Sequence, residues 1–254
     1  MDLSLFSLEA LLPFILVGFA AQLVDGALGM AFGVISNTLL VGVMGVPPAL
    51  ASQRVHVVEC FTTATSGISH LLHGNVDREL FLRLLVPGMI GGVLGAYVLT
   101  SLDAAVVKPF VLLYLTGIGI FILARGLFYP PKIKQARVIA PLGLFGGFLD
   151  AVGGGGWGPV VTSNLLIQGA DPRKVVGTVN TVEFFLTLTV SAAFIWRLGL
   201  AELAGATLGL LIGGLLAAPI GAWAAKHFPP KQMLILVGIV LILTSGFGVY
   251  KAWG

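Results

Sequence analysis

The stretch DAVGGGGWGP, Asp150–Pro159, interrupts an otherwise apolar part of the chain with an acidic residue followed by four glycines. A similar stretch, DGALGMAFG, stands about half a chain earlier at Asp25–Gly33. Carboxylates and non-helical backbone are both unfavourable in lipid, and they are retained there only where they line a cavity or are buried in protein. Two copies of the pattern therefore predict a duplicated membrane protein with a site at the breaks.

The composition is typical of a polytopic α-helical membrane protein. Of its 254 residues, 57% are hydrophobic and 10% are charged, far from the values of soluble domains. The net charge of +3 comes from residues scattered between apolar runs, a pattern that sets membrane topology and does not indicate nucleic-acid binding. Four uncharged runs approach or exceed the roughly 20 residues of a membrane-spanning helix: Leu84–Leu102, Ala151–Ala170, Leu203–Ala225 and Gln232–Tyr250.

The similarity between the two halves continues beyond the breaks. With Asp25 aligned on Asp150 and small slips allowed, further matches follow: Pro47 on Pro172, VECFTT (Val58–Thr63) on VEFFLT (Val182–Thr187), and Ile90-Gly91-Gly92 on Ile212-Gly213-Gly214. Each half thus contains a glycine-broken unit, a helix with a central glutamate, a Gly-Gly helix and a last apolar helix. We predict an all-α fold of two repeats, residues 1–128 and 138–254, joined by a basic linker at 129–137.

The basic residues distinguish two topologies. If each broken unit is a hairpin that returns to its starting side, the repeats are inverted and ten Lys and Arg residues lie inside against four outside. If each unit crosses once, the repeats are parallel and the split is eight to six. The positive-inside rule favours the inverted arrangement, with a cytoplasmic linker and both termini outside. The four outside residues are then Arg54, Lys108, Arg197 and Lys251.

The breaks are the predicted substrate site. Transporters with inverted repeats bind substrate near the membrane midplane, where half-helix N-termini and freed N–H groups face anions. Packing alone rarely needs four consecutive glycines, so we expect Gly153–Gly156 to cradle an anion, whereas isolated pairs such as Gly91-Gly92 are expected to pack helices. The predicted substrate-binding residues are Gly153, Gly154, Gly155, Gly156, Trp157, Asn164, Thr178, Asn180, Gly29, Gly33, Asn37 and Gln53.

Two glutamates are predicted near the middle of the membrane. Glu59 and Glu183 each lie eleven residues past a helix-starting proline, about 16 Å along a helix. His56 precedes Glu59 by one turn, and Asn180 precedes Glu183 in the same way. A His56–Glu59 pair in a partly dry cavity is suited to taking up and releasing a proton; a purely structural bridge to the breaks is the equal alternative.

The two aspartates at the breaks have several candidate roles. Asp25 and Asp150 can cap the half-helix that begins at the break, which we favour, or they can orient an anion or bind a coupling cation. With Glu59, His56 and Glu183 they form the predicted coupling or gating set.

No motif of an enzyme, a metal centre or a cofactor site is found in the sequence. His70 and His73 stand three residues apart beside Asp77, and we interpret them as a solvated helix end. We expect no cofactor and no metal. The expected partners are a small anion and the lipid bilayer, with a homodimer left open and nucleic acid excluded.

The residues around the second break resemble the sulfite exporter TauE/SafE family of membrane transporters. The resemblance rests on LDAVGGGGWGP at Leu149–Pro159, on GTVNT at Gly177–Thr181, on the chain length and on the two-repeat layout. It implies secondary transport of small sulfur-containing anions, such as sulfite, sulfoacetate, other organosulfonates or thiosulfate, across the bacterial cytoplasmic membrane. It also implies that both breaks flank the substrate path, although the first copy has Leu28, Met30 and Ala31 where the second has glycine.

The sequence therefore predicts an inverted-repeat secondary transporter of a small anion, working by alternating access and with proton coupling as a further expectation. A passive anion channel and a non-transporting membrane subunit of a partner enzyme are the alternatives. Four matched carboxylates within apolar segments, two in each half, argue against the second alternative.

Overall fold

The computed structural model describes residues 7–28, 30–128, 138–168, 170–200, 203–227 and 230–253, and all regular secondary structure in those ranges is helical. The basic linker at 129–137 and Gly29 lie outside the described residues. The helices of the first half are α1 (Leu8–Leu28), α2 (Phe32–Asn37, continued by a π-helical turn at Thr38–Val43), α3 (Pro48–Leu72), α4 (Arg78–Ser101) and α5 (Ala104–Leu127). Those of the second half are α6 (Ala140–Gly153), α7 (Ser163–Gln168, preceded by a π-helical turn at Trp157–Thr162), α8 (Pro172–Leu198), α9 (Ala204–His227) and α10 (Pro230–Trp253).

Local sequence signals explain several helix starts. Proline, which lacks the N–H that a first turn leaves unbonded, opens α3, α8 and α10. Asp77 caps α4 by accepting hydrogen bonds from the backbone N–H groups of Glu79 and Leu80, and Asp103 caps α5 in the same way. Within the described residues, four helices hold segments long and apolar enough to cross a membrane: Leu8–Asp25, Arg78–Ser101, Ala104–Leu127 and Lys174–Leu198.

Both broken units are interrupted at equivalent positions. The second break follows Gly153, with left-handed backbone at Gly154 (φ 64°) and Gly155 (φ 136°). In the first unit α1 continues through Gly26 to Leu28, so it is longer than the roughly 15 residues expected for a hairpin arm, and the left-handed residue is Ala31 (φ 107°).

The second broken unit is a hairpin. Val138, just before α6, donates its backbone N–H to Oε1 of Gln168 at the end of α7 (3.1 Å). Gly146 in the middle of α6 lies against the side chain of Val161. The two arms therefore lie side by side and return the chain to its starting end.

Within the described residues, the four most extensive helix pairs correspond when the two halves are exchanged. α1 packs on α9, and its counterpart α6 packs on α4. The counterparts α3 and α8 pack together and run antiparallel, because Gln53 contacts Gly199 whereas Ser66 contacts Asn180. The last helices α5 and α10 are also antiparallel, since Gly126 lies against Ile235 and Gly248 against Leu112.

The loops gather at two ends of this bundle. At one end, Lys174 Nζ donates to the carbonyl oxygens of Gly74 (2.9 Å) and Val76 (3.4 Å), directly before Arg78. We call this the basic end. At the other, the distal end, the Arg197 guanidinium donates to the hydroxyls of Thr100 and Ser101, both at 3.1 Å.

The Gly-Gly pairs allow helices to pack closely, as predicted. A Cβ atom on Gly91 would lie 2.0 Å from the carbonyl oxygen of Leu144, and one on Gly213 would lie 2.0 Å from that of Ile15. Gly91 thus lets α4 reach the backbone of α6, and Gly213 lets α9 reach the backbone of α1.

We expect Gly91→Ala to destabilise the protein by about 2 kcal/mol, because neither backbone can move away without repacking the helix pair. Gly117→Ala is the matched control: a Cβ there meets nothing within 4 Å, so it should leave stability unchanged or raise it by up to about 1 kcal/mol. Thermal unfolding of the detergent-purified variants measures both, and equal unfolding temperatures would contradict the packing role.

Candidate functional site

The tips of the two broken units meet inside the bundle. A Cβ on Gly155 would lie 2.3 Å from the backbone carbon of Gly33, and one on Gly33 would lie 2.6 Å from Cα of Gly155. Asn37 Nδ2 donates to the carbonyl oxygen of Gly153 in the other half. The first and second breaks are therefore in direct backbone contact.

Asp150 holds the second break together. Its Oδ1 accepts the backbone N–H groups of Gly156 (2.8 Å) and Trp157 (2.9 Å), and its carbonyl oxygen accepts those of Gly154 and Gly155. The predicted capping role is confirmed. The anion cradle expected at Gly153–Gly156 stays a prediction; in this conformation the N–H groups of Gly154, Gly155, Gly156 and Trp157 are bonded to Asp150.

Asp25 also caps its break, the first one, but with fewer hydrogen bonds than Asp150. Its Oδ1 accepts one backbone N–H, that of Phe32, at 3.2 Å. The side chain is only partly buried, whereas Asp150 is 1% exposed. The two aspartates are thus equivalent in sequence and unequal in structure.

The second carboxylate oxygen of Asp150 pairs with His56 on α3, at 3.0 Å from Nε2. The Nδ1 of His56 lies 2.8 Å from the carbonyl oxygen of Ser52, which can only accept, so Nδ1 carries a hydrogen. One further proton is shared between Nε2 and Asp150, and the pair is neutral overall whichever atom holds it. The predicted partner of His56 was Glu59; the structure pairs His56 with Asp150 across the two halves.

A cavity of about 270 Å³ lies between the tips and the basic end. The C-terminal half of α3, the N-terminal half of α8 and both breaks form its walls. Its lining residues are Gln22, Asp25, Met30, Ala31, Phe32, Gly33, Val34, Glu59, Thr62, Thr63, Ser66, His70, Gly155, Gly156, Gly158, Pro159, Val176, Asn180 and Glu183.

The cavity is acidic. Asp25, Glu59 and Glu183 face it, and no Lys or Arg is among the lining residues that the structure describes. Glu59 is 4% exposed, and its Oε2 has no hydrogen-bond partner within the described part of the chain. A buried carboxylate without a partner is strongly unfavourable when ionised, so this position calls for a proton or a ligand.

The other polar groups of the cavity are largely engaged. Ser66 donates its hydroxyl to Oδ1 of Asn180 (3.2 Å), and Asn180 Nδ2 donates to the carbonyl oxygen of Val176 (2.9 Å). The hydroxyl of Thr63 donates to the carbonyl oxygen of Glu59. The carboxyl groups of the cavity can donate to an anion only in their protonated form, whereas the Gln22 amide and the His70 ring are lining groups that donate when neutral.

The predicted site residues divide into two groups. Those that line the cavity are Gly155, Gly156, Gly33, Asn180, Asp25, Glu59 and Glu183. Those placed elsewhere in the described structure are Gly153, Gly154, Trp157, Asn164, Thr178, Asn37, Gln53, His56 and Asp150.

The second group has visible packing and hydrogen-bonding roles. Trp157 is fully buried and donates its indole N–H to the Val179 carbonyl oxygen. Thr178 accepts the backbone N–H of Asp77, and Gln53 Nε2 donates to the Gly199 carbonyl oxygen. Asn164 Nδ2 donates to the carbonyl oxygen of Val160 in its own arm.

Sequence reasoning missed a polar stripe on α3. Thr62, Thr63, Ser66 and His70 line the cavity together with Glu59, and their spacing of three, four, seven and eleven residues from Glu59 places them on one helix face. The stripe was present in the sequence as a helical period. Tyr114 was also missed: its ring lies against Gly153 and its buried hydroxyl against Gly156, and nothing around it in α5 signals that contact.

We expect Asp150→Ala to destabilise the protein by about 3 kcal/mol or more, because it leaves His56 and two break N–H groups unpaired in a buried position. Asp25→Ala should cost about 1 kcal/mol, the usual value of a helix cap. Denaturant or thermal unfolding in detergent measures the difference. A larger effect at Asp25 would contradict the asymmetry between the breaks.

Comparison with known proteins gives the family. A family model described as "Sulfite exporter TauE/SafE" matches residues 14–247. The chain is 43% identical to "Probable membrane transporter protein YtnM" of Bacillus subtilis strain 168, over 97% of this chain and 85% of that protein. It is 24% identical to a "Probable membrane transporter protein" of Haemophilus influenzae strain Rd, over 78% of this chain and 81% of that protein. No solved structure matches the chain. The chain therefore belongs to the sulfite exporter TauE/SafE family and is a multi-pass membrane transporter rather than an enzyme.

Proposed function

We propose that the protein is a secondary transporter that carries a small sulfur oxyanion or organosulfonate together with protons, by alternating access between two inverted repeats. The observation that carries the proposal is the cavity at the hairpin tips, where three carboxyl groups face the ligand space and Glu59 is buried without a partner for one oxygen. The cavity of about 270 Å³ is the right scale for a small anion and some water.

Proton coupling follows from the charge of the cavity. An anion placed beside ionised Asp25, Glu59 and Glu183 would meet like charge in a poorly solvated space. Protonation of the glutamates removes that repulsion and converts each from an acceptor into an O–H donor. Binding of the anion and binding of the protons therefore favour each other, and both are carried in the same direction.

Inverted topology is supported by the contacts at the two ends. Lys174 bonds the segment just before Arg78, which the parallel topology would place on the opposite side of the membrane. The antiparallel packing of the equivalent helices α3 and α8 has the same implication. Under the positive-inside rule the basic end, where Arg78 and Lys174 lie, faces the cytoplasm of a bacterial cell.

Alternating access is favoured over a channel by the closure of the distal side. The cavity ends at the contact of Gly33 with Gly155. Beyond it, toward the distal end, Ser52, Gln53, Val55 and His56 of α3 are all fully buried. This is the arrangement of a site open to the basic end alone.

The cargo class rests on the family description, since the names of the relatives specify no substrate. A thermal-shift series on detergent-purified protein tests it with sulfite, thiosulfate, methanesulfonate, sulfate and acetate. A ligand at about 100 times its Kd adds roughly 2.7 kcal/mol of apparent stability. Stabilisation by the sulfur anions alone is expected, whereas stabilisation by acetate alone would overturn the sulfur assignment.

Proton coupling has its own readout in reconstituted vesicles. Methanesulfonate is the suitable probe because its charge is constant around neutral pH. Each coupled proton should raise its accumulation ratio about tenfold per unit of pH gradient, and Glu59→Gln or Glu183→Gln should each remove about one such factor. Glu79→Gln is the matched control, because Glu79 is exposed on α4 and paired with Arg83; accumulation that depends on pH equally in all variants would refute the role of the two glutamates.

A further inference from the structure

The His56–Asp150 pair has a counterpart in the other half of the chain. Asp25 stands where Asp150 stands, at the start of its break, and Asn180 precedes Glu183 by three residues as His56 precedes Glu59. In each half the break aspartate can thus reach the corresponding helix of the opposite half, α6 with α3 and α1 with α8. Of these two contacts, the structure has the one between Asp150 and His56 formed.

The second contact is open. Asp150 and His56 are 1% and 0% exposed and lie 3.0 Å apart. Asp25 and Asn180 instead both line the cavity, and Asn180 is turned toward Ser66 and the Val176 carbonyl oxygen. The packing agrees: the structure records α6 against α3, but no comparable packing of α1 against α8 within the described residues.

We infer that Asp25 and Asn180 form the gate that closes the basic end of the cavity, as His56 and Asp150 close the distal side here. This inference rests on the proposed alternating access, in which two related halves exchange their conformations around a central site. In the opposite state Asn180 Nδ2 donates to Asp25, α1 packs on α8, and His56 separates from Asp150.

The two gates have unequal strength. A histidine paired with a buried aspartate shares a proton and forms a charge-assisted contact, whereas asparagine offers a neutral donor to the same carboxylate. The distal gate is therefore the stronger one, and it favours the conformation in which the cavity is open at the basic end. Substitution of Asn180 by histidine should remove that advantage, because both gates would then be histidine–aspartate pairs.

The test follows the accessibility of one cavity residue. In a Cys60→Ser background, which removes the lone native cysteine, Thr62→Cys places a thiol in the cavity between Glu59 and the basic end. We call this Cys60→Ser, Thr62→Cys protein the parent. The rate at which its thiol reacts with a charged, membrane-impermeant reagent is measured in oriented vesicles, with the reagent added on the side from which the parent reacts faster.

Asn180→His should slow labelling about tenfold, because it adds a charge-assisted contact to the closed state of the basic end. His56→Asn should slow it as well, because it weakens the distal gate, and it keeps the test decisive if the first variant folds poorly. Adding Asp25→Asn to Asn180→His should restore the parent rate. Asn164→His is the matched control, since Asn164 makes the same bond to a carbonyl four residues earlier and does not line the cavity.

Unchanged or faster labelling in Asn180→His would overturn the gate, and slowing that persists after Asp25→Asn would overturn Asp25 as the partner. Labelling reports access and needs no cargo, so these outcomes are independent of the sulfur assignment. If the proposed function is wrong and the gate is right, none of the tested anions will stabilise the protein in the thermal-shift series, while the variants will still change the labelling rate as expected.

Discussion

The rest of the site depends on the hydrogen bonds that the carboxylate of Asp150 makes. A helix that stops inside a membrane leaves N–H groups without partners, and lipid supplies none. Asp150 satisfies those of Gly156 and Trp157 with one oxygen and His56 with the other. The same residue therefore stabilises the second break and attaches it to α3 of the other half. Without it the hairpin tip would have neither its shape nor its position.

The four-glycine run is explained by separate contacts at each glycine. Gly153 lies against the ring of Tyr114, Gly154 against the side chain of Asn37, Gly155 against the backbone of Gly33, and Gly156 against the hydroxyl of Tyr114. A Cβ at any of the four would lie within 2.4 Å of its neighbour. Two of the residues, Gly154 and Gly155, also have positive φ. The run thus allows the two breaks to come into close contact.

The sequence could predict features that are local, but it could not predict side-chain contacts between the two halves. The duplicated order of elements, the capping aspartates and the close packing at Gly91 and Gly213 follow from periodicity, residue type and internal similarity, and the structure has all three. The partner of His56 could not be predicted, because one helix turn to Glu59 was visible in the sequence and the contact with Asp150, 94 residues away, was not. For the same reason the backbone N–H groups of Gly154, Gly155 and Gly156 looked free, although they are bonded to Asp150. Tyr114 lies in an apolar helix, and only the tertiary fold brings it to the break.

The distribution of charge explains why one side of the tips is closed and the other is hollow. On the distal side the one carboxylate at the tips is matched by His56, so the pair is neutral and can be enclosed by packed side chains without an ionic penalty. On the side of the basic end three carboxyl groups face one another with no Lys or Arg among the described lining residues. Close packing there would require protons, a ligand or a new pairing. The cavity is therefore the physical consequence of the unmatched half of the repeat. In the mechanism that we propose, closure of the cavity changes the protonation of Glu59 and Glu183 and gives Asp25 a partner. Proton binding, anion binding and gating are then joined at a single set of residues.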